Sequence, residues 1–405
     1  MAKTIAIIAS LDSKEQEVRF VIEQIRRCGH QTLVIDVGVR SEPDLVPDIR
    51  REEVIRAAGA PLEVLRDGEK HLRLDAMARG AAVLAEKLYA AGRLDAVFSL
   101  GGVQNTMIGT SAMKALPYGV PKLAVSTVAS GNRTFDPIVG TKDIVLLPSI
   151  ADISGLNSLT RMVLANGVAA IAGMVEHAGA PLRTGSDLVV GATMMGATGD
   201  GVTGAVKLLE QAGLEVISFH STGVGGRVME DLIAQGFIGG VLDLTIHEIT
   251  SEYFGGGYSF GATNRLRAAA RAGIPQVVAP GGIDFVDFGR NELPDDIGTR
   301  KYIYHNSGIA HIKVHRHEIV AIAAVVAERL NASRGPVTLV IPTRGFRRAA
   351  APGGPLWDPE TDQAFVKVLT ERLHSKIRVR EVDANLDDPE FSQAAAEAFL
   401  ELIGR

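Results

Sequence analysis

The sequence predicts an α/β protein made of two doubly wound, Rossmann-like lobes with mainly parallel sheets and a cleft between them. Three observations carry this. Continuous apolar runs of strand length alternate with stretches of helical periodicity, as in βαβ units whose strands are buried on both faces. Those runs end repeatedly in polar or glycine-rich loops, which is where open α/β sheets bind ligands. The 405 residues also exceed what one hydrophobic core normally serves. Ala178 through Ser186 breaks all periodicity, so the expected division is a nucleotide-binding lobe over 1–178, a linker over 179–186 and a second lobe over 187–405.

In chain order, Thr4 to Ala9 reads as a strand, the polar Ser10-Leu11-Asp12-Ser13-Lys14 as its loop, and Val18, Val21, Ile22 and Ile25 as the apolar face of a helix. Ser13 with Gln16 offers a capping box, Gly29 ends the helix, and Thr32 to Ile35 is the next strand, closing on Asp36. A right-handed crossover brings the Asp12 and Asp36 loops to one sheet edge. Val39 to Lys70 is polar and reads as an excursion, a mobile cover with a short helix near Arg51 to Ala58. A helix over Leu74 to Ala91 leads to the strands Ala96–Leu100, Lys122–Val125 and Ile144–Leu147, then to a long helix ending near Glu176. The second lobe repeats the plan, with strands beginning near Leu188, Glu215, Gly240, Gln276, Val337 and Ile377. Its helices lie over Val202–Ala212, Arg227–Gln235, Thr263–Ala272, His317–Leu330, Pro359–Leu373 and Asp388–Leu402.

The totals narrow the function. A net charge of −5 offers no basic field for a phosphate backbone, so neither DNA nor RNA is an expected partner. A single cysteine, Cys28, rules out an internal disulfide and a cysteine zinc cluster. The N-terminus runs straight into a strand pattern and no apolar run reaches membrane-spanning length; the expectation is a cytoplasmic protein with no membrane partner.

Several motifs compete. Phe219-His220-Ser221-Thr222-Gly223-Val224-Gly225-Gly226-Arg227 lies between a strand and a helix and has the make-up of an anion cradle, or of a turn that needs glycine only for its dihedrals. Ser126-Thr127…Gly131 echoes it in the first lobe. No Gly-Lys dipeptide occurs, which excludes a P-loop. Gly199-Asp200-Gly201-Val202-Thr203-Gly204 fits a dinucleotide pattern, but the following strand closes on His220 rather than on an acid. Gly257-Tyr258-Ser259-Phe260-Gly261 fits a nucleophile elbow, with Asp284 and His305 in hydrolase order, although no strand runs into Ser259. His311, His315 and His317 read as exposed helix-start histidines or as a metal site. His220, Asp243, Glu248, Asp284, Asp287 and His305 follow predicted strands, as acid–base or metal groups or as residues that cap helices and satisfy loop backbone.

Longer strings add a resemblance. Val125-Ser126-Thr127-Val128-Ala129-Ser130-Gly131, Asp152-Ile153-Ser154-Gly155-Leu156-Asn157, Phe219 through Arg227 with Glu230-Asp231, and Gly282-Ile283-Asp284 with Asp287-Phe288-Gly289 together resemble the ATP-binding domain of the tomato mosaic virus resistance protein and its bacterial relatives. The resemblance runs from the Asp12 loop to the final helix. It implies two α/β lobes, ATP binding with magnesium (Mg2+) and a homodimer. The plant protein carries a further barrel domain, so a barrel partner of this chain would be a separate polypeptide. Its antiviral role does not carry over, because the shared residues lie in strand-end loops.

The expected function is therefore ATP binding with magnesium on glycine-rich loops. Gly101, Gly102, Ser126, Thr127, Ser130 and Gly131 would cradle phosphate, Asp36 would meet the ribose, and Asp12 and Lys14 would line the same edge. Ser221, Thr222, Gly223, Gly225, Gly226 and Arg227 would face the cleft from the other side. One alternative is a metabolic enzyme acting on a small phosphorylated or carboxylated second substrate in that cleft, with His220, Glu248, Asp284 and His305 as catalytic groups. Another is a serine hydrolase using Ser259. Metal ligands are not assigned.

Overall fold

The computed structural model describes residues 2–129, 136–179 and 188–405. Ser130 and Gly131, and all of the expected linker except Gly179, lie outside the described residues. The chain forms two compact units, Met1–Arg183 and Thr184–Arg405.

The first unit runs β1 (Thr4–Ala9), α1 (Leu11–Arg27), β2 (Gln31–Asp36), α2 (Arg51–Ala57), α3 (Glu63–Asp67), α4 (Lys70–Ala90), β3 (Ala96–Gly101), α5 (Val103–Ala115), β4 (Lys122–Ser126), α6 (Asp136–Val139), β5 (Val145–Pro148) and α7 (Ser158–His177). Its five strands are parallel in the order β2-β1-β3-β4-β5. Side chains alternate across the pleat, so Ala6 and Ile8 join one core with α2, α4 and α5, while Ile5, Ile7 and Ala9 join another with α1 and α7. Both faces are covered, which is why the strands read as unbroken apolar runs. By length and composition α7 could cross a membrane, yet Val163, Leu164, Val168, Ile171 and Val175 lie in the second of these cores.

Three expectations are corrected here. The segment from Val39 to Lys70 is no loose cover: Val54, Ile55 and Leu65 are buried in the first core, and Ile49 bridges Ile35. The Ser13–Gln16 capping box does not form, because α1 begins at Leu11, whose N–H is taken by the Asp36 carboxylate at 3.0 Å. Helix α5, which the sequence did not announce, follows Gly102 directly.

The second unit runs β6 (Val189–Met194), α8 (Gly199–Gln211), β7 (Glu215–His220), α9 (Val224–Ala234), β8 (Gly240–Thr245), α10 (His247–Phe254), α11 (Ala268–Ala272), β9 (Gln276–Gly281), β10 (Phe285–Gly289), β11 (Tyr302–Tyr304), β12 (Ile309–Lys313), α12 (Arg316–Asn331), β13 (Val337–Pro342), α13 (Pro359–Arg372), β14 (Arg378–Val382) and α14 (Pro389–Leu402). Six strands are parallel in the order β14-β13-β9-β8-β6-β7, with α8 and α14 on one face and α9, α12 and α13 on the other. A separate antiparallel sheet, β10-β12-β11, was not expected. It places His311 on a strand and buried, not at an exposed helix start; only His315 and His317 sit at the start of α12. Each parallel sheet reverses its winding once, between β1 and β3 and between β6 and β8, and such switch points open a crevice at the carboxyl ends of the strands.

Close helix crossing depends on Gly80 in α4, where an added Cβ would lie 1.9 Å from the Val54 carbonyl oxygen of α2. Gly80→Ala is expected to cost about 1–3 kcal/mol in urea unfolding. Gly173→Ala, in α7 with nothing within 4 Å of the new Cβ, is expected to stabilise by roughly 0.5–1 kcal/mol.

Candidate functional site

In the first unit, the loops after β1 and β3 flank the switch point. Gly101 needs to be glycine, with φ +139° and a Cβ position 2.5 Å from the Asn105 side chain. Gly102 does not. Its φ of −81° and ψ of −166° suit any residue, and the nearest atom to an added Cβ is Thr127 Oγ1 at 3.7 Å. Gly102 is the N-cap of α5, and without a side chain it leaves the first-turn N–H groups uncapped. Thr106 N–H is the first to donate within the helix, to the Gly102 carbonyl at 2.9 Å, so the three amides before it, of Val103, Gln104 and Asn105, have no intrahelical acceptor. Ser10 Oγ donates to Asn105 Oδ1 at 2.5 Å, tying the two loops together.

Other residues expected on this edge are turned inward. Asp36 is 1% exposed, and its Oδ1 accepts from the amides of Leu11 and Gly38 at 3.0 and 2.8 Å. Burial pushes its carboxyl up from the ordinary range, and it has no face left for a ribose. Ser126 is buried, its Oγ 2.6 Å from Thr106 Oγ1 and accepting from Val128 N–H. Asp12 Oδ2 accepts from the Val39 and Arg40 amides, which fastens the β2 loop over the β1 loop. Lys14 stands at a break in α1, with φ −132° and ψ 20°. A neighbouring hollow of about 470 Å³ is walled by Asp12, Glu15, Glu17, Glu42 and Asp44, an acidic lining unsuited to bare phosphate.

The glycine-rich loop of the second unit is an anion cradle, but its anion belongs to the protein. Glu248 Oε1 accepts from Gly223 N–H at 2.7 Å and Gly226 N–H at 3.2 Å at the start of α9. All three glycines are sterically required: an added Cβ would meet the Phe260 carbonyl at Gly223, the His220 carbonyl at Gly225 and the Glu248 carboxylate at Gly226. Ser221 is buried and donates to the Thr245 carbonyl, while Thr222 Oγ1 lies 3.2 Å from His220 Nδ1. Arg227 occupies the first turn of α9, half-buried. Behind the loop sits Arg265, fully buried, with Nε 2.6 Å from Glu248, Nη2 and Nη1 at 2.6 and 3.0 Å from Asp243, and Nη1 3.5 Å from Glu230. Sequence reasoning missed Arg265, which stands 17 residues beyond Glu248 in an unremarkable stretch.

A second buried cluster occupies the carboxyl ends of β9 and β13. Asp284 accepts from Arg347 Nε at 3.0 and 3.2 Å and from Lys313 Nζ at 3.2 Å. Burial pushes the Asp284 carboxyl up, but the Arg347 and Lys313 charges outweigh it and hold it well below the carboxylate range. Lys313 also donates to Asp362 at 2.7 Å; there burial dominates and pushes the carboxyl up to about 7. Four rings form a row: His247 on Phe285 at 4.1 Å, Phe285 beside His311 at 4.5 Å, and His311 stacked on the exposed His305 at 4.4 Å. Burial, then the Arg347 charge, push His311 down to about 3.

The hydrolase constellation does not assemble. Ser259 is buried and donates to Asp287 Oδ2 at 2.5 Å, with His247 Nε2 3.3 Å from the other Asp287 oxygen without hydrogen-bond geometry. The carboxylate thus stands between serine and imidazole, where a nucleophilic serine needs the imidazole beside it. Burial raises the Asp287 carboxyl, but His247 and Ser259 bring it down to about 2. The four expected catalytic groups are likewise set apart in chemistry. His220 is exposed on the edge strand β7, Glu248 neutralises Arg265, Asp284 neutralises Arg347 and Lys313, and His305 ends the ring row. Among the described residues no three His, Cys, Asp or Glu side chains are grouped to hold a metal.

Residues 3–180 match the N-terminal domain, and 187–403 the C-terminal domain, of a family described as Uncharacterised protein family (UPF0261). A UPF0261 protein of Clostridium tetani is 39% identical over 406 residues, covering 100% of both chains. One from Rhizobium meliloti is 32% identical over 404 residues, 99% of each. The ToMV resistance protein Tm-1(GCR237) of Solanum lycopersicum is 37% identical over 316 residues, which is 76% of this chain and 42% of the tomato protein. The tomato match is therefore narrower than the near-complete resemblance expected, while the bacterial relatives align end to end. A solved UDP-GlcNAc 2-epimerase from Methanocaldococcus jannaschii covers 98% of this chain and 92% of its own at 11% identity, and its TM-score of 0.23 carries no argument.

Arg265→Met, which strands three carboxylates without their cation, is expected to cost about 3–5 kcal/mol in urea unfolding. Glu248→Gln should cost less, because an amide oxygen still accepts from Gly223 and Gly226. Asp362 carries a separate prediction. Its carboxyl binds a proton more tightly when folded (about 7) than when unfolded (3.8), so its contribution to stability is full below pH 3.8 and is lost as pH rises to about 7. Urea midpoints measured across that window should fall less steeply for Asp362→Asn than for the parent.

Proposed function

Because the chain belongs to the uncharacterised protein family UPF0261 over both of its units, we propose that it is an ATP-binding protein that takes the nucleotide, with magnesium, at the carboxyl edge of the first sheet. The observation that supports this is Gly102. It is a glycine that neither backbone dihedral nor packing demands, at the uncapped start of a 13-residue helix, beside a switch point. A missing Cβ there is explained by close approach of a ligand, and a helix start favours phosphate through its free amides and its dipole. Thr127 Oγ1 adds a hydroxyl facing the same space. Magnesium would arrive on the phosphates and keep most of its water, as this ion usually does. The glycine loop of the second unit is set aside as a phosphate site, since Glu248 already holds its amides.

Calorimetry with ATP and magnesium on the whole chain tests the reading. The parent should give saturable heat. Gly102→Val should keep the parent's urea midpoint and lose about tenfold or more in affinity, as a side chain fills the space left for phosphate. No heat with the parent, or equal affinity in a folded Gly102→Val, overturns it.

A further inference from the structure

We propose that Arg347, in the second unit, is the anchor of a binding site for a small oxyanion, a carboxylate or phosphate group, with His311 beside it. The inference stands on the second buried cluster and is independent of nucleotide binding in the first unit. Arg347 is 0% exposed, and only one edge of its guanidinium is used: Nε meets Asp284, while Nη1 and Nη2 have no hydrogen-bond partner. An unmatched buried donor costs about 1–3 kcal/mol, more when charged, and native proteins leave few of them. Of the neighbouring carboxylates, Asp287 accepts from Ser259, and Asp362 accepts from Lys313 through Oδ1 while its Oδ2 has no hydrogen-bond partner.

The open edge is also held in place. Asp284 fixes one side of the guanidinium, and Phe285 lies under its plane with the guanidinium carbon 4.0 Å from the ring centre. A guanidinium so fixed presents two parallel N–H groups, the fork that pairs with two oxygens of a carboxylate or phosphate. The charge balance agrees. Arg347 and Lys313 share Asp284, and the remaining carboxyl, Asp362, keeps a proton up to about pH 7, so an added anion completes the set. His311, uncharged near neutral pH, brings a ring N–H without bringing a competing cation. From His311 the row continues to His305, which is exposed and marks the side from which a ligand would enter.

The experiment is a titration of the full chain with inorganic phosphate, and separately with acetate, against chloride at equal ionic strength, following the His311 ring and Arg347 side-chain signals by NMR. Saturable shifts of both groups are expected. Tighter phosphate binding would mark a phosphorylated ligand, and tighter acetate binding a carboxylated one. Arg347→Lys keeps a cation for Asp284 but removes the fork, and is expected to weaken binding about tenfold or more. His311→Phe keeps the ring row, removes the N–H and should also weaken it. Absence of saturable shifts with both anions in the parent overturns the proposal whether or not the variants fold. So does unchanged affinity in a folded Arg347→Lys. Loss of ATP binding in Gly102→Val with these shifts intact would separate the two sites.

Discussion

The second unit is organised by the need to neutralise one guanidinium that has no access to water. Arg265 would be prohibitive to bury alone, and it is met by carboxylates from three elements: Asp243 of β8, Glu248 of α10 and Glu230 of α9. Two of these acids hold backbone as well. Glu248 takes the amides that open α9, and Glu230 takes the Ala268 amide that opens α11. One charge thus sets where two helices begin. Gly226 of the Ser221–Arg227 loop follows from it, since its missing Cβ leaves room for the Glu248 carboxylate and the Arg265 side chain.

The two carboxyl edges use the same devices to different ends. Both sheets reverse their winding beside the first strand of the unit, and in both an acid pins the loops near that reversal. In the first unit Asp12 and Asp36 hold the β1 and β2 loops, and the start of α5 stays uncapped. In the second, Glu248 of α10 reaches into the start of α9 itself and takes the Gly223 and Gly226 amides. Closure of the glycine-rich start of α9 is thus decided by a side chain about 25 residues away.

That distance marks the limit of what could be read in advance. The parallel strands were legible because burial on both faces leaves unbroken apolar runs such as Ile5–Ala9 and Val277–Ala279, and helix ends were legible where Gly29, Gly213, Gly236 and Gly273 adopt positive φ. The β10-β12-β11 sheet was hidden: β11 is three residues long, and His311 and Lys313 are polar residues on a strand whose partners are buried charges and rings. Helix α5 was hidden by its glycine start and its threonines and serine, which bond back to the helix backbone. For the site, residue types were visible and pairings were not. Asp284, Glu248 and Ser259 drew attention as reactive groups, while their pairing with the cations that decide the role of the first two, Arg347 and Arg265, leaves no local pattern, since the partners stand 63 and 17 residues away.

The Glu248 contact also ties the glycine loop to the buried charge behind it. The start of α9 is closed by a carboxylate whose second oxygen meets the Arg265 guanidinium. Because Asp243 and Glu230 also meet Arg265, that helix start is not reopened by changing Glu248 and Arg265 alone without stranding two further buried acids. Any change that frees the second glycine loop therefore has to reach the whole cluster of Arg265, Asp243, Glu230 and Glu248.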